Sequence, residues 1–352
     1  MKKVALMITL LLSSMIVFAQ KTNKNELKQL KAFLEQPAEK GGTNAQALKI
    51  SDTSNPASWE GVTVANGHVT AIDWKGKHIA GVLDLSNFTA LAKVDVSRNA
   101  LTSMSVAGCS ALTEINASRN KMTQIDMSGT SAVTKVSVNN NRLTDLDITS
   151  APVIKTLNVS NNHFVDLNVA GSATLETLNC QGNDLETLRI DNCTALKNLY
   201  CGYNKLTGLN LFGTTALTNL NVDDNRIANM IVSGLPQLST FICSDNNMTS
   251  LAMRDCKNLL DLVCSYNDLT SLTVEQCPQL IFVDCSYNDL TSLSLNNQTF
   301  LQRLLCNNNQ LTMLDVSFDQ ALTYINCRYN QIVDFRTEAC PNLTMIACRW
   351  GY

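Results

Sequence analysis

The stretch Leu280-Ile281-Phe282-Val283-Asp284-Cys285-Ser286-Tyr287-Asn288-Asp289-Leu290 carries the pattern on which the fold turns. Leu280, Val283, Cys285 and Leu290 are apolar, and Asn288 is the polar residue fixed among them. Shifted by 21 residues, the pattern returns along most of the chain. The Asn positions are Asn99, Asn120, Asn141, Asn162, Asn183, Asn204, Asn225, Asn246, Asn267, Asn288, Asn309 and Asn330, without a slip. No ordinary globular fold requires one polar residue at a fixed period over so long a run. A solenoid does, because each coil repeats the backbone path of the coil before it. An Asn side chain offers a carbonyl acceptor and two amide donors. It suits a turn whose backbone groups lack partners.

The apolar positions keep the same period. Three residues before the Asn stand Val96, Ala117, Val138, Val159 and Val222, and Cys in the other repeats. Two after it stand Leu, Met, Phe or Ile, as in Leu101, Met122, Phe164 and Ile227. The unit LxxLxCxxNxL resembles a leucine-rich repeat. Its second half lacks the usual amphipathic helix. Leu188 and Ile190, Leu209 and Leu211, Leu272 and Val274, and Leu293 and Leu295 alternate at period two, the mark of an extended segment with one buried face. Each coil is therefore expected to carry two short strands, one per side. Fourteen copies of the main strand can be counted, from residues 72–74 to residues 346–348. This nested pattern is similar to the 21-residue IRREKO-type repeats of secreted proteins from Bacteroidetes-like bacteria. The expected fold class is a leucine-rich repeat solenoid, mostly β, with stacked parallel strands on both sides of a narrow core and a small helical N-terminal cap.

Residues 1–19 read as a signal peptide, with Lys2, Lys3, an apolar run from Val4 to Phe18, and Ala19 at the cut. The run is too short for a transmembrane anchor, and no Cys lies near the cut for a lipid anchor. Such a leader implies a secreted, periplasmic or cell-surface protein. Residues 20–67 are expected to form a cap. Leu27, Leu30, Phe33 and Leu34 share one helical face, and Pro37 stops the helix. Trp59 reads as cap core. Residues 68–352 are the solenoid, in which Lys77 holds the first ladder position. At the other end, Trp350 and Tyr352 either fold over the last coil or leave it open for end-to-end self-association.

Thirteen Cys in a chain with a leader would ordinarily suggest disulfides. Their positions argue for buried free thiols instead. Cys180, Cys201, Cys243, Cys264, Cys285, Cys306, Cys327 and Cys348 occupy the column that elsewhere holds Val or Ala, a small apolar site. Cys109, Cys193, Cys256, Cys277 and Cys340 lie ten residues after a ladder position. Stacked side chains run parallel, which disfavours the disulfide dihedral. No CxxC occurs, and His68, His78 and His163 lie far from the Cys columns, so neither metal nor cofactor is expected.

Residues six, four, two and one before each Asn are expected to face outward from the main sheet. In the early coils they are basic and polar, with Lys93, Arg98, Arg119 and Lys135. Asp223, Asp224 and Asp245 follow. The middle coils also give Tyr200 and Tyr203, and the late coils add Ile242, Val263, Tyr266, Phe282, Tyr287, Leu305, Tyr324 and Tyr329; these ten are the candidate protein-binding residues. Apolar and aromatic clusters rimmed by polar groups mark interaction sites, although such residues also stabilise a sheet surface by cross-strand contact. No catalytic set or phosphate-binding loop is present in the sequence. The formal net charge is −3. Loss of Lys2 and Lys3 takes it to about −5, which speaks against nucleic acid. The expected function is therefore not enzymatic. It is protein binding in adhesion or interaction, with a surface glycan as partner, or a spacer without ligand, as the alternatives.

Overall fold

The computed structural model describes residues 22–348 except 296, 297, 318 and 339. The leader at residues 1–19 lies outside the described residues, as do Trp350 and Tyr352 with the two fates considered for them. The chain divides into two compact units, Met1–Val133 and Thr134–Tyr352.

The first unit begins with a helix, Lys24–Leu34. Asn23 caps it by accepting the Asn25 and Glu26 N–H groups, which the first helical turn leaves unpaired. Its apolar face buries Leu30, Phe33 and Leu34, and Phe33 stacks on Trp74 at 5.8 Å. Glu26 is buried as well. Its carboxylate accepts the Val69 N–H at 2.9 Å and faces His68 Nδ1 at 2.8 Å, which ties the helix to the strand His68–Asp73. Trp59 is buried, with its indole N–H donating to Asp52 O. A short helix, Asn44–Ala47, was not legible in the Gly- and Asn-rich stretch, although Thr43 and Gln46 form its capping box. Buried Asn44 joins it to the coils: its amide reaches Phe33 O and Ala80 O, and its oxygen accepts the Ala80 N–H. The strand Val62–Ala65 pairs antiparallel with His68–Asp73 and covers that edge.

Main strands then stack in parallel register, each 21 residues after the last in both units except at the first step. In the first unit they are His68–Asp73, Lys93–Asp95 and Glu114–Asn116. In the second, eleven run from Lys135–Ser137 to Met345–Ala347. Together they are the fourteen copies counted in the sequence. The inward column is close to fully buried through Leu220, Phe241, Leu262, Val283, Leu304 and Ile325. No helix occurs inside the repeats among the described residues. The structure is thus a leucine-rich repeat solenoid with parallel strands on both sides of its core.

The second side departs from one strand per coil. In the first unit it is a three-stranded group, Ala80–Asp84, Ala100–Ser105 and Gln124–Asp126. In the second it is broken into groups of two, three and two strands. Residues 144–148, 208–211 and 292–295 form no strand. Leu146, Ile148, Leu293 and Leu295 still point inward. Alternation thus dictated which side chains are buried and not whether the backbone ladder closes.

The ladder Asn hold the turns. Asn246 donates to Val222 O at 3.0 Å in the preceding coil, to Cys243 O at 3.2 Å and to Ser244 O at 3.1 Å. Its oxygen accepts the Ile227 N–H at 3.0 Å, again in the preceding coil. Asn99 does the same in the first unit with Trp74 O, Val96 O and the Ile79 N–H. Lys77, which lacks the amide, pairs with Glu60 instead.

Eleven Cys are free and buried, and burial pushes thiols such as Cys180 and Cys306 up to about 12. On the second side the thiols of Cys109, Cys193 and Cys340 donate to carbonyls of the preceding coil, at 3.1 Å to Leu85, 3.1 Å to Val169 and 2.9 Å to Val316. They serve there as short counterparts of the Asn amide. Two residues of this column are less well satisfied. Gln298 Oε1 and Asp319 Oδ1 are buried without a partner among the described residues, and burial pushes Asp319 up to about 7. One pair corrects the expectation of thirteen free thiols: Cys327 and Cys348 form a disulfide. The coil step sets their Cα atoms 5.1 Å apart, inside the range that a disulfide spans. Cys348 is also only half-buried, unlike the sealed thiols of the preceding coils.

Two outcomes are expected. Asn246→Ala removes one acceptor and three donated bonds from buried backbone, and urea unfolding should show a loss of about 1–3 kcal/mol. An unchanged midpoint would contradict the ladder role. Peptide mapping of the unreduced, denatured chain should recover a Cys327–Cys348 linked peptide, and recovery of both as alkylated monomers would contradict the disulfide.

Candidate interaction face

The turn before each ladder Asn shapes the rim of the main sheet. The residue just ahead of the Asn has positive φ in every coil: Tyr203 at 54°, Asp224 at 51°, Asp245 at 53°, Tyr266 at 53°, Tyr287 at 54° and Tyr329 at 56°. Only Gly adopts this left-handed region freely, and Asn tolerates it. Asn140, Asn161, Gly182 and Asn308 follow that preference. A bulky residue there is held at a cost by its surroundings. The sequence carries the signal for this turn, as Gly and Asn in the same column as Tyr.

The four Tyr of this column are exposed, by 52% for Tyr203, 51% for Tyr266, 43% for Tyr287 and 63% for Tyr329. Tyr266 and Tyr287 stack with ring centroids 4.3 Å apart and planes 9° apart, the close offset arrangement that aromatic pairs favour. The other candidates are half-buried on the sheet itself: Tyr200, Ile242, Val263, Phe282, Leu305 and Tyr324. Register places Ile242 beside Val263. Asp284 then separates Val263 from Leu305. The apolar column foreseen for these three is therefore a pair and a single residue. Phe282 and Tyr324 flank Arg303, whose guanidinium lies 5.4 Å from one ring and 5.6 Å from the other. Arg303 was not among the candidates, yet it holds both aromatics by cation–π attraction.

The column two residues before the Asn faces outward only in part: Arg328 is exposed, and Ser118, Asn139, Gln181 and Asp223 are half-buried. Ser97, Ser160, Ser244, Ser265, Ser286 and Asn307 are buried. Short hydroxyls turn back into the rim: Ser244 and Ser265 share a hydrogen bond of 2.9 Å, and Ser286 donates to Asp284 at 2.6 Å. Asp223 stands in this column over Gly202, where any Cβ would overlap its carboxylate. Its Oδ1 is buried without a partner among the described residues. Burial, then the neighbouring Asp224 charge, raises its pKa. Burial followed by Asp224 does the same to Asp245, and burial alone to Asp261. In the early coils the charges are matched within the first unit, with Lys93 on Glu114 and Lys121 on Glu39. Exposed Phe212, Ile231 and Val333 lie outside this face, on the second half of their coils. Among the described residues no group of three or more His, Cys, Asp or Glu is placed to hold a metal, and no helix is long and apolar enough to cross a membrane.

No family model matches the chain, and no curated protein matches it. Solved structures do. The functional domain of InlJ from Listeria monocytogenes, which includes a cysteine ladder, is 22% identical over 80% of this chain and 66% of its own, with a TM-score of 0.57. The plant peptide hormone receptor RGFR1, in complex with RGF2, is 20% identical over 71% of this chain and 46% of its own, with a TM-score of 0.57. The internalin inlF from Listeria monocytogenes is 16% identical over 94% of this chain and 98% of its own, with a TM-score of 0.58. The chain spans less than two thirds of the length of the first two. At these identities the likeness carries the solenoid fold.

The raised Asp223 has a consequence for stability. Between the ordinary carboxylate value and the raised one, the folded chain holds a proton that the unfolded chain has lost, so this group's contribution falls as pH rises through that window. Asp223→Asn should raise the unfolding midpoint at neutral pH, with the gain vanishing in acid below the ordinary carboxylate value. A destabilised variant at neutral pH would show that the carboxylate is held by favourable contacts instead.

Proposed function

We propose that this chain is a protein-binding module whose contact surface is the outward face of the late coils, from Tyr200 to Tyr329. The observation that carries the reading is the column of Tyr203, Tyr266, Tyr287 and Tyr329, held exposed in a left-handed backbone conformation that Gly or Asn would adopt more cheaply. Aromatic rims beside half-buried apolar residues are where interface energy concentrates. The Tyr266–Tyr287 stack presents a rigid, preorganised surface that loses little freedom on binding. The fold shared with internalins and with a peptide hormone receptor supports an interaction role, although a fold hosts many functions. The 21-residue repeat and the Lys2-Lys3 leader support, in this reading, a secreted or cell-surface repeat protein of the IRREKO type, with residues 20–67 as cap and 68–352 as solenoid.

A pull-down from cell-surface extract with the whole chain, run beside Tyr266→Ala and Tyr287→Ala, tests the reading. For the captured partner each variant should weaken binding by about 1–3 kcal/mol without changing the fold. Lys93→Ala and Arg119→Ala, in the early coils, should change mainly the salt dependence. Binding lost with the early-coil variants and kept with the late-coil ones would overturn it. Signal on a glycan array that depends on Tyr266 would move the reading to a surface glycan.

A further inference from the structure

Cys256 and Cys277 stand apart from every other thiol. They are the only neighbours, one 21-residue step apart, in the second-side Cys column. On either side of them in that column stand Leu235 and Gln298, so no third thiol competes. They sit just beyond two of the longest second-side strands of their unit, Ser250–Arg254 and Ser271–Glu275, where Arg254 and Glu275 are Cα partners. The Asp255 N–H still donates to Glu275 O at 3.2 Å, so the parallel register runs up to the two cysteines. At the other pair, Asn326 and Ala347 are Cα partners one residue before Cys327 and Cys348. There the same step closes a disulfide at a Cα distance of 5.1 Å. The Cys256 and Cys277 thiols sit at matching positions in adjacent coils, each against the carbonyl two residues before it, at 3.5 Å from Arg254 O and 3.4 Å from Glu275 O.

We infer that Cys256 and Cys277 form a dithiol site that accepts oxidation by a disulfide-bearing oxidant and closes to a second coil-to-coil disulfide. Both thiols are buried, and Cys277 lines a crevice of about 710 Å³ together with Leu272, Val274, Gln276, Pro278 and Gln298. Cys277 is on its wall and Cys256 is not, which sets the order of events. Cys277, as thiolate, attacks one sulfur of the oxidant. An S–S bond forms to Cys277, the oxidant's own S–S bond breaks, and one thiolate leaves and takes up a proton. Cys256 then loses its proton and attacks the Cys277 sulfur of the mixed disulfide, releasing the second thiol. Two thiols are oxidised and one disulfide is reduced to two thiols. The neighbouring Cys256 side chain holds the Cys277 thiol below its ordinary value, whereas Cys277 and burial push Cys256 up, in keeping with attacker and resolver. The bond closes a covalent ring around the coil that carries Val263 and Tyr266.

The test uses the whole native chain and oxidised glutathione, with alkylation and peptide mapping. The expected result is a Cys256–Cys277 linked peptide and the loss of two alkylation sites, while the Cys243–Cys306 column stays alkylatable after denaturation. A bond already present before glutathione is added, and opened by dithiothreitol, supports the assignment equally. In Cys256→Ser, glutathione should remain on Cys277. In Cys277→Ser, neither adduct nor linked peptide should form at this pair. The assignment is overturned if the wild-type chain yields no linked peptide while its denatured form reacts, or if Cys256 takes glutathione as readily when Cys277 is absent. The wild-type mapping decides the matter even where a variant folds poorly.

Discussion

Everything in this fold depends on keeping a buried turn satisfied at every coil. The ladder Asn spend both amide hydrogens and an oxygen lone pair on backbone, as at Asn246. Its amide reaches carbonyls in its own coil and in the one before, and its oxygen takes an amide of the one before. An unpaired buried backbone group costs as much as a lost hydrogen bond. One residue type at one position therefore sets the period for all the others. The apolar columns can align only because the Asn holds the coils in step.

The same turn has a functional consequence. To aim the Asn side chain inward, the residue before it takes a left-handed conformation and its own side chain is thrown outward at the rim. The rim is thus a column of display positions, one per coil. Where the chain places Gly or Asn there, no ring is presented. Where it places Tyr, a ring stands half in solvent, and two successive Tyr stack. Structure and presentation are two sides of one turn.

The main sheet was legible because period 21 and burial alternation leave little freedom. Leu262, Val283 and Leu304 could point nowhere but inward. The second side was less legible. Alternation at Leu146 and Ile148 predicts burial, but strand formation also needs a neighbour in register. The buried Ser column was misjudged because a Ser two residues before the Asn looks polar and outward by count, whereas its hydroxyl closes a local bond inside the turn. The role of Arg303 was invisible because a cation–π sandwich needs the register of three coils at once. The Cys327–Cys348 bond was not legible because the stacked thiols look equivalent in the repeat, whereas the half-buried Cys348 differs from those sealed before it.

The Asn side chains bind the coils together as firmly as the strands do. Amide hydrogen exchange of the free chain tests it most directly. The N–H groups of Ile227, Met248, Leu269 and Leu290 donate to the Asn oxygen of the following coil at 3.0 Å in each case. They should exchange only with the opening of the main sheet, at the rate of the amides in the strands Thr240–Ile242 and Asp261–Val263. Exchange of these four at loop rates, with the strands still protected, would contradict the account.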